Sequence, residues 1–452
     1  MARFVTSDNR QPFLMPPDLR DWLPEDDIAH FILGAAERVN MSKFHVNERG
    51  SGSAQYHPQM MLALLVYSYV NGVFSSRRIE RATYRDIGCR FITANLNPDH
   101  DTIAKFRREN LEAFSECFLE VLLLAKELKL LRVGTVSVDG TQIKANASKN
   151  RNVRYDRAQE LRKKLKEDID TLIKQAEKTD REEETDPQSL PEELSRRETL
   201  KAKLDEACGT LKRAAKKRAE RASEEYEKKV KSRDKRKGRK KGGMPKPPDD
   251  TPADNAQTNL TDSDSRLMRK NKRSGYEQAY NAQAVVDAEG TQLILGQRIT
   301  QCASDRNELT ADVLSIDSGV GQPDCVLADA GYASGDEIKQ LEEVIEDIEV
   351  LVATGRTDHE REYDFRPKPK RKPPPKDSKQ WIKDMRKKMA TDEAKALYKL
   401  RQQTVEPAFG IIKTAMGFRQ FLLRGLDKIE IEWCLVTLAY NCKRLHNLTA
   451  FA

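Results

Sequence analysis

Two aspartates each follow a short, mostly apolar run, and the two runs are far apart in the chain. Asp139 follows residues 136–138, and Asp329 follows residues 326–328. Short runs rich in apolar and β-branched residues between turn signals predict buried strands. If the two strands are parallel neighbours, both carboxylates lie at the same edge of the sheet, where open α/β sheets bind their ligands.

Glu406, in segment 404–410, supplies a candidate third carboxylate. Three carboxylates offer the hard oxygen ligands that Mg²⁺ or Mn²⁺ prefer, and these ions also bind substrate phosphates. Two such ions about 3.5–4 Å apart stabilise the attacking and leaving oxygens of an in-line phosphoryl displacement. A single aspartate at a strand end is more often the cap of a turn or helix, so this prediction depends on all three residues together.

The charge distribution predicts a polyanionic partner. The chain has 452 residues, with 80 Lys and Arg against 72 Asp and Glu, a formal net charge of +8. Residues 212–246 hold 17 basic and 5 acidic residues, and residues 366–388 hold 11 and 2. Basic segments of this kind favour nucleic acid, with an affinity that falls as salt rises. Solvated linkers are the alternative interpretation.

Several classes of protein are excluded by what the sequence lacks. No run of 18 apolar residues is present, so we expect no membrane span, and the first residues do not resemble a signal peptide. Seven scattered cysteines without a Cys-x-x-Cys pair indicate a reducing cytoplasm. The six histidines show no metal-ligand spacing and there is no P-loop, so neither a histidine-bound metal nor nucleotide hydrolysis is expected.

The N-terminal part has the apolar spacing of short helices. Residues 56–130 are predicted to form several helices joined by tight turns, the last running from about Thr102 to Leu130. Arg107 and Arg108 lie near the start of that helix. Short helices with a basic helix start are typical of helix-turn-helix DNA readers, which makes these two arginines candidate DNA contacts. A plain helical bundle is the alternative.

Residues 155–245 contain two heptad-like apolar series. The first is Leu161, Leu165, Ile169, Leu172 and Ala176, and the second is Leu200, Leu204, Ala207, Leu211 and Ala214. Steps of three and four residues predict two helices, and Pro187 and Pro191 predict the turn that folds them into a hairpin. The glycine- and proline-rich segment that follows predicts a disordered linker to about Asp264.

The remaining segments predict a sheet and a helical C-terminus. We expect strands at 279–286, 292–299, 325–328 and 348–353, and helices within 391–446. Asp305 and Glu308 follow the second of these strands and are interpreted as part of a surface loop, with a supporting role at the site as the alternative. Lys144, which follows the first aspartate, either contacts DNA phosphates or is simply solvated.

Several short motifs occur in the order found in one known family. They are Asp139-Gly140-Thr141, Ala145-Asn146-Ala147-Ser148, Tyr280-Asn281-Ala282-Gln283, Asp329-Ala330-Gly331-Tyr332, and Val405-Glu406-Pro407 followed by Phe409, Gly410 and Lys413. Together, across residues 55–446, they resemble the DDE transposases of bacterial insertion sequences. The N-terminal helical region is similar to the DNA-binding domain of that family. The resemblance implies a ribonuclease H-like core, with Asp139, Asp329 and Glu406 as the catalytic and metal-binding triad and Mg²⁺ or Mn²⁺ as cofactor.

The last motif of that family reads Tyr, two residues, Arg, three residues, Glu, six residues and Lys. Tyr398 and Arg401 match its first spacing and Glu406 and Lys413 its last, but four residues separate Arg401 from Glu406 in this chain. The resemblance implies that Lys413, Arg401 and Tyr398 contact DNA. Pro407 lacks an N–H group, so we expect a kink or a restart of the helix beside Glu406.

These observations predict an α/β (α+β) fold with a ribonuclease H-like mixed sheet flanked by helices. Residues 1–130 are predicted to form a helical DNA-binding domain. Residues 131–154 and 270–452 are predicted to form the catalytic domain, into which residues 155–269 insert a charged helical hairpin and linker. The predicted activity is Mg²⁺-dependent cleavage and joining of DNA at the inverted ends of an insertion sequence, with transposon ends and target DNA as partners. Pairing of two ends predicts a homodimer. A nuclease without strand transfer and a catalytically silent DNA-binding protein are the alternatives.

Overall fold

The N-terminal part consists of helices packed around one buried helix. The computed structural model describes residues 23–47, 54–182, 189–234, 247–269, 273–355 and 379–450, together with residues 18 and 21. The first helices are α1 (Ile28–Arg38), α2 (Pro58–Val70), α3 (Ser76–Arg85), α4 (Ile87–Ile92), α5 (His100–Glu109) and α6 (Leu111–Glu127). Helix α2 begins at a proline, which suits the first helical position, and is buried along nearly its whole length.

The single helix predicted from Thr102 to Leu130 is wrong, because the chain breaks at Asn110 between α5 and α6. The side-chain amide of Asn110 donates to the carbonyl of Phe106 at 2.8 Å, and its oxygen accepts the N–H of His45 at 2.7 Å. An asparagine that bonds nearby main-chain groups competes with the helical hydrogen bonds. The two halves therefore form separate helices.

A mixed β-sheet forms the centre of the rest of the chain. Its strands are β1 (Thr135–Lys144), β4 (Arg266–Met268), β5 (Glu277–Asp287), β6 (Ile294–Thr300), β7 (Cys325–Ala328) and β8 (Glu349–Val352), and β2 (Asn152–Arg154) pairs with β3 (Gln257–Asn259) in a separate two-stranded sheet. The order is β4-β5-β1-β7-β8, with β6 also paired to β5. β1 is antiparallel to β5 but parallel to β7, and β7 is parallel to β8. The predicted fold class is confirmed: the sheet and its helices are consistent with a ribonuclease H-like core.

Five helices flank this sheet. They are α9 (Leu309–Val313), α10 (Gly335–Val344), α11 (Gln380–Lys388), α12 (Asp392–Gly410) and α13 (Leu426–Ala450), numbered after the two hairpin helices described next. Helix α13 packs against β6 on one side and against α2 and α6 on the other, and Trp433 on it is fully buried. It therefore joins the N-terminal helices and the sheet into one apolar core. None of the described helices combines the length and apolar character needed to cross a membrane.

The predicted helical hairpin is present as α7 (Tyr155–Glu182) and α8 (Ser189–Asp234). The apolar series meet between the helices, where Leu165, Leu204 and Leu211 are buried, and an ion pair joins Arg162 to Asp205 across them. The turn predicted at Pro187 lies outside the described residues.

The linker predicted to be disordered to Asp264 is wrong in its second part. Residues 247–264 are described, and β3 within them pairs with β2 at the base of the hairpin. Thr258 and Asp262 are buried there. Residues 235–246 and the proline-rich part of the second basic tract lie outside the described residues, and the end of that tract forms α11.

Candidate active site

The two aspartates lie side by side because β1 and β7 are parallel and in register. Val138 pairs with Ala328 as the last pair of this ladder, so Asp139 and Asp329 are the next residues on each strand. Both aspartates were expected to follow the end of a strand. This is correct for Asp329, which follows β7, but wrong for Asp139, because β1 continues past it to Lys144 along β5. The continued pairing fixes the main chain of Asp139 more firmly than a strand end would.

Helix α12 brings the third carboxylate to this point and is hydrogen-bonded to both strands, β1 and β7. The hydroxyl of Thr404 donates to the hydroxyl of Ser137 at 2.9 Å, two residues before Asp139. The hydroxyl of Tyr398 donates to the carbonyl of Ala328 at 3.2 Å, directly before Asp329. These two contacts set the position of α12 across the strands. The side chain predicted to contact DNA, Tyr398, therefore has a contact within the protein.

Arg401 of α12 lies among all three acidic side chains. Its Nη2 is 3.1 Å from Oδ2 of Asp139 and 3.9 Å from Oδ2 of Asp329, and its Nη1 is 3.8 Å from Oε1 of Glu406. The structure thus brings together the three carboxylates that the sequence placed in one site. The four-residue spacing between Arg401 and Glu406 still allows them to meet, since both lie on one helix.

Exposure increases from the arginine outward. The exposed fraction of the side chain is 9% for Arg401, 20% for Asp139, 42% for Asp329 and 58% for Glu406. The site therefore opens to solvent on the side of Glu406 and Asp329, while Arg401 and Asp139 form its floor. A substrate or ion would approach from the glutamate side.

Burial dominates the electrostatics of Asp139. The pKa of this carboxyl is raised to about 7, mainly by burial and in smaller part by the negative charges of Asp329 and Asp305. Arg401 and the N–H of Gly140, which donates to Oδ1 of Asp139 at 2.8 Å, act in the opposite direction. Asp139 thus depends on nearby positive charge to be ionised at neutral pH.

The helix restart predicted beside Glu406 is wrong, because α12 continues to Gly410 with Pro407 inside it, and the alternative, a kink, stays a prediction. Pro407 cannot donate to the carbonyl of Gln403, four residues earlier. The side-chain amide of Gln292 donates to that carbonyl instead, at 2.7 Å. A turn of π-helix, Ile411–Ala415, follows directly. The helix is therefore maintained past Glu406 by a residue of the loop before β6.

Lys413 lies beside β1 after that π-helical turn. Its ammonium group donates to the hydroxyl of Thr141 and, at 3.1 Å, to the carbonyl of Gln142. These contacts place a positive charge along β1, two to three residues beyond Asp139. The predicted residue Lys144, at the end of the same strand, is exposed and pairs with Glu277 at 2.8 Å.

Asp305 belongs to the site although the sequence favoured a surface loop. Its Oδ1 accepts hydrogen bonds from the side-chain amides of Asn281 at 2.6 Å and Gln283 at 2.7 Å. A Cβ atom at Gly140 would lie 2.6 Å from the same oxygen and 2.4 Å from Nε2 of Gln283, so a larger residue after Asp139 would displace these side chains. The sequence did contain a signal for this role: the amide side chains of Asn281 and Gln283, in the motif 280–283, need a hydrogen-bond acceptor, and Asp305 is that acceptor.

The two arginines predicted to contact DNA differ in position. Arg107 is buried, and its guanidinium donates to the hydroxyl of Tyr69 at 3.1 Å and to the carbonyl of Phe74 at 2.8 Å. Arg108 is exposed. Arg107 therefore stabilises the helical domain from within, and we leave it out of the proposed DNA contacts.

The donor chemistry of the site suits a hard divalent cation. Three carboxylates supply oxygen ligands of the kind that Mg²⁺ and Mn²⁺ prefer. In the described part of the chain no three acidic, histidine or cysteine side chains are close enough to form a metal cluster, and Arg401 lies among the carboxylates. The three carboxylates therefore have the ligand type that such an ion needs, and in this structure the positive charge of Arg401 offsets their negative charge.

Comparison with known protein families gives two matches. Residues 17–109 match the family model described as Transposase domain (DUF772), and residues 249–442 match the model described as Transposase DDE domain. Asp329, Glu406 and Lys413 lie within the second match, whereas Asp139 and the hairpin lie between the two. No curated protein and no solved structure matches the chain.

Proposed function

We propose that this chain, which belongs to the DDE-type transposases of insertion sequences, binds the inverted ends of its own mobile element and cuts and joins DNA there. The observation that carries this proposal is the convergence of Asp139, Asp329 and Glu406 on Arg401. These acids come from two strands and a helix that are remote in sequence. Asp139 lies outside the family matches, so its assignment rests on its register beside Asp329.

The proposed chemistry consists of two in-line displacements at one site. A water molecule attacks the phosphodiester at the end of the element and releases a 3′-hydroxyl group. That hydroxyl then attacks a phosphodiester of the target DNA: a new P–O bond joins the element's 3′ end to the target, and the bond to the target strand's own 3′ oxygen breaks, releasing it as a hydroxyl group. Asp139, Asp329 and Glu406 would hold Mg²⁺ or Mn²⁺, which would activate the attacking oxygen and stabilise the charge that develops on the phosphate.

The protein's own residues supply positioning and charge. Asp139 and Asp329 are fixed by the parallel ladder, and Oδ1 of Asp329 also accepts the N–H of Gly331 at 2.7 Å. The exposed Glu406 faces the open side, where the substrate enters. Lys413, held on β1, would donate charge-assisted hydrogen bonds to a DNA phosphate near the scissile bond.

Basic side chains next to Asp329 support binding of a polyanion. A cleft of about 600 Å³ adjoins the loop after this residue, and Arg306, Lys379, Trp381 and Arg386 line it. Only one carboxylate, that of Asp336, is among its lining residues in the described part of the chain. Three cations against one anion favour phosphate groups there. Pairing of two element ends would require two protomers, so we propose a homodimer in the DNA complex.

The proposed function is tested with single substitutions at the carboxylates. Asp139→Ala, Asp329→Ala and Glu406→Gln should each abolish Mg²⁺-dependent cleavage of a duplex that ends in the element's inverted repeat, while the protein still binds this duplex. A variant that still nicks DNA would show that the assignment is wrong. Pre-nicked ends separate a transposase from a simple nuclease, because only a transposase joins them to target DNA.

A further inference from the structure

A basic cleft lies between the foot of the helical hairpin and the catalytic domain. Its volume is about 620 Å³. The residues that matter here are Asn146, Ser148, Arg151, Lys203, Thr261 and Arg424. They come from the loop after β1, from α8, from the segment after β3 and from the loop before α13. The hairpin thus contributes one wall and the catalytic domain the other.

Three positively charged side chains line this cleft, and none of its lining residues in the described part of the chain is acidic. Arg151, Lys203 and Arg424 are all exposed. Within the described chain, neither Arg151 nor Lys203 makes an ion pair, and Arg424 uses only its Nε, which donates to the carbonyl of Asn146 at 2.9 Å. Most of the donor groups of the three side chains therefore face solvent.

The nearest acids serve the main chain and fix the position of Arg424. Asp262 accepts the N–H of Gly425 at 3.3 Å, and Asp264 accepts the N–H of Leu426 at 3.1 Å. Both acids line the smaller adjoining cleft, together with Glu206. Because these two carboxylates bond the residues directly after Arg424, they hold its loop against the segment that follows β3. The arginine is thus placed by built contacts, although its own side chain is exposed.

The cleft lies beyond the end of β1, the strand that passes through the acidic site. β1 advances five residues from Asp139 to Lys144, about 17 Å at the usual rise of a strand. Lys413 is bonded to β1 on this path, and the cleft begins at Asn146. Successive phosphates of one DNA strand are about 3.4 Å apart along the axis, so this distance corresponds to about five nucleotides.

We propose that this cleft holds the phosphate backbone of the element-end DNA, at least about five nucleotides from the bond that is cut. Lys203 would give the hairpin a direct part in holding DNA. That the bound DNA is the element's end rests on the proposed function. That Arg151, Lys203 and Arg424 bind phosphate does not depend on it. Phosphate binding follows from three exposed cations that line one cleft and make no ion pair within the described chain, beyond the end of the strand that carries Asp139.

The test measures how binding depends on salt, with the full-length protein and a duplex of about 40 base pairs of arbitrary sequence. Each phosphate contact contributes about 0.9 to the slope of log affinity against log salt concentration. Arg151→Ala, Lys203→Ala and Arg424→Ala should each reduce the slope by about that amount, and the triple variant by about three times as much. Thermal unfolding shows whether the variants remain folded.

Lys217→Ala is the matched control. Lys217 is exposed and lies 14 residues after Lys203 on α8, on nearly the same helix face and about 21 Å along the axis. Its substitution should leave the slope unchanged. If the triple variant keeps the wild-type slope, or if Lys217→Ala lowers the slope as much as Lys203→Ala does, the cleft is not a DNA site.

Cleavage assays separate this claim from the proposed function. A wild-type protein that never cuts or joins element ends, but whose salt slope falls in the three variants, would overturn the transposase activity and keep the cleft. A wild-type protein that cuts and joins DNA, with a triple variant unchanged in slope and rate, would overturn the cleft alone.

Discussion

The guanidinium group of Arg401 lies 3.1 Å from the carboxylate of Asp139, although the two residues are 262 positions apart in the chain. It also lies within 3.9 Å of Asp329 and Glu406. Arg401 is nearly buried, so its charge is screened less than that of a surface residue. Carboxylates that share a site repel one another. We infer that Arg401 holds the acidic cluster together when no divalent ion is present.

Replacing Arg401 with methionine should therefore destabilise the protein. The change leaves the three carboxylates without their cation, and we expect the free energy of unfolding at pH 8 to fall by about 1–3 kcal/mol. Mg²⁺ should restore part of this loss, and protonation should reduce it at pH 5. Urea unfolding with and without Mg²⁺ measures both effects. Arg386→Met is the control: Arg386 is exposed, and within the described residues its side chain bonds only Thr354, at 3.4 Å. Equal losses in both variants would contradict the role of Arg401.

Local patterns in the sequence located the two strands and the aspartates that follow them, and the resemblance of the motifs implied the triad with Glu406. Each aspartate follows a run of residues that favour strands, and the strands proved to be parallel neighbours in register. Glu406 was found through its motif on a helix. The strands and the motif depend on residues close together in the chain, whereas the parallel pairing of the strands was an assumption that the structure bears out.

The errors arose where contacts between remote segments decide the outcome. Arg107 has the sequence context of a surface arginine, yet Tyr69 and Phe74 offer it partners within the helical domain. Asp305 gained its place through Asn281 and Gln283 on a neighbouring strand. Neither set of partners is visible in the local sequence around the charged residue.

Asp305→Asn should reduce cleavage by about 10–100-fold, the usual effect of losing a group that orients a metal-binding residue. The substitution removes one negative charge beside Asp139 and changes the acceptor of two amide hydrogen bonds, but it keeps the shape of the side chain. We expect the turnover number to fall while DNA affinity stays the same. Asp317→Asn, at an exposed loop residue, is the control. A matching fall in DNA affinity would mean that Asp305 contacts DNA rather than positioning the site.

Gln292 and Pro407 should be energetically coupled. Gln292→Ala removes the donor to the carbonyl of Gln403 and should lower the free energy of unfolding by about 1 kcal/mol. In a Pro407→Ala background, the new N–H of residue 407 bonds that carbonyl, so the same substitution should cost less. A double-mutant cycle by urea unfolding measures the difference. Equal costs in both backgrounds would show that the two residues act independently.

Arg107 and Arg108 provide a pair of adjacent arginines with opposite expectations. Arg107→Met removes two hydrogen bonds to a buried charge and should lower the free energy of unfolding by about 2–3 kcal/mol. Arg108→Ala should change it by less than about 0.5 kcal/mol, as exposed substitutions usually do, but should weaken binding to duplex DNA. Chemical unfolding and a DNA-binding titration measure the two properties. Unchanged DNA affinity in Arg108→Ala would exclude this face of α5 from the interface.

The stability of the protein should fall as the pH rises from about 4.5 to about 7, in part because of Glu432 on α13. This side chain is fully buried, and it accepts the N–H groups of Leu422 at 2.9 Å and Leu423 at 3.0 Å. Burial nevertheless raises its pKa from 4.5 to about 7. A raised pKa in the folded state means that the protonated form favours folding. The stability from this group is therefore complete below pH 4.5 and is lost as the pH rises through about 7.

Glu432→Gln should remove this contribution to the pH dependence, because glutamine stays neutral and its oxygen still accepts a main-chain N–H. The shift in pKa corresponds to about 3 kcal/mol, so the variant should match the wild type near pH 4.5 and exceed its free energy of unfolding by up to that amount at pH 8. Urea unfolding between pH 4.5 and 8 measures the difference, with the exposed Glu343→Gln as control. A difference that stays constant with pH would show that Glu432 remains ionised throughout this range, held by the two N–H groups and the nearby charge of Arg107.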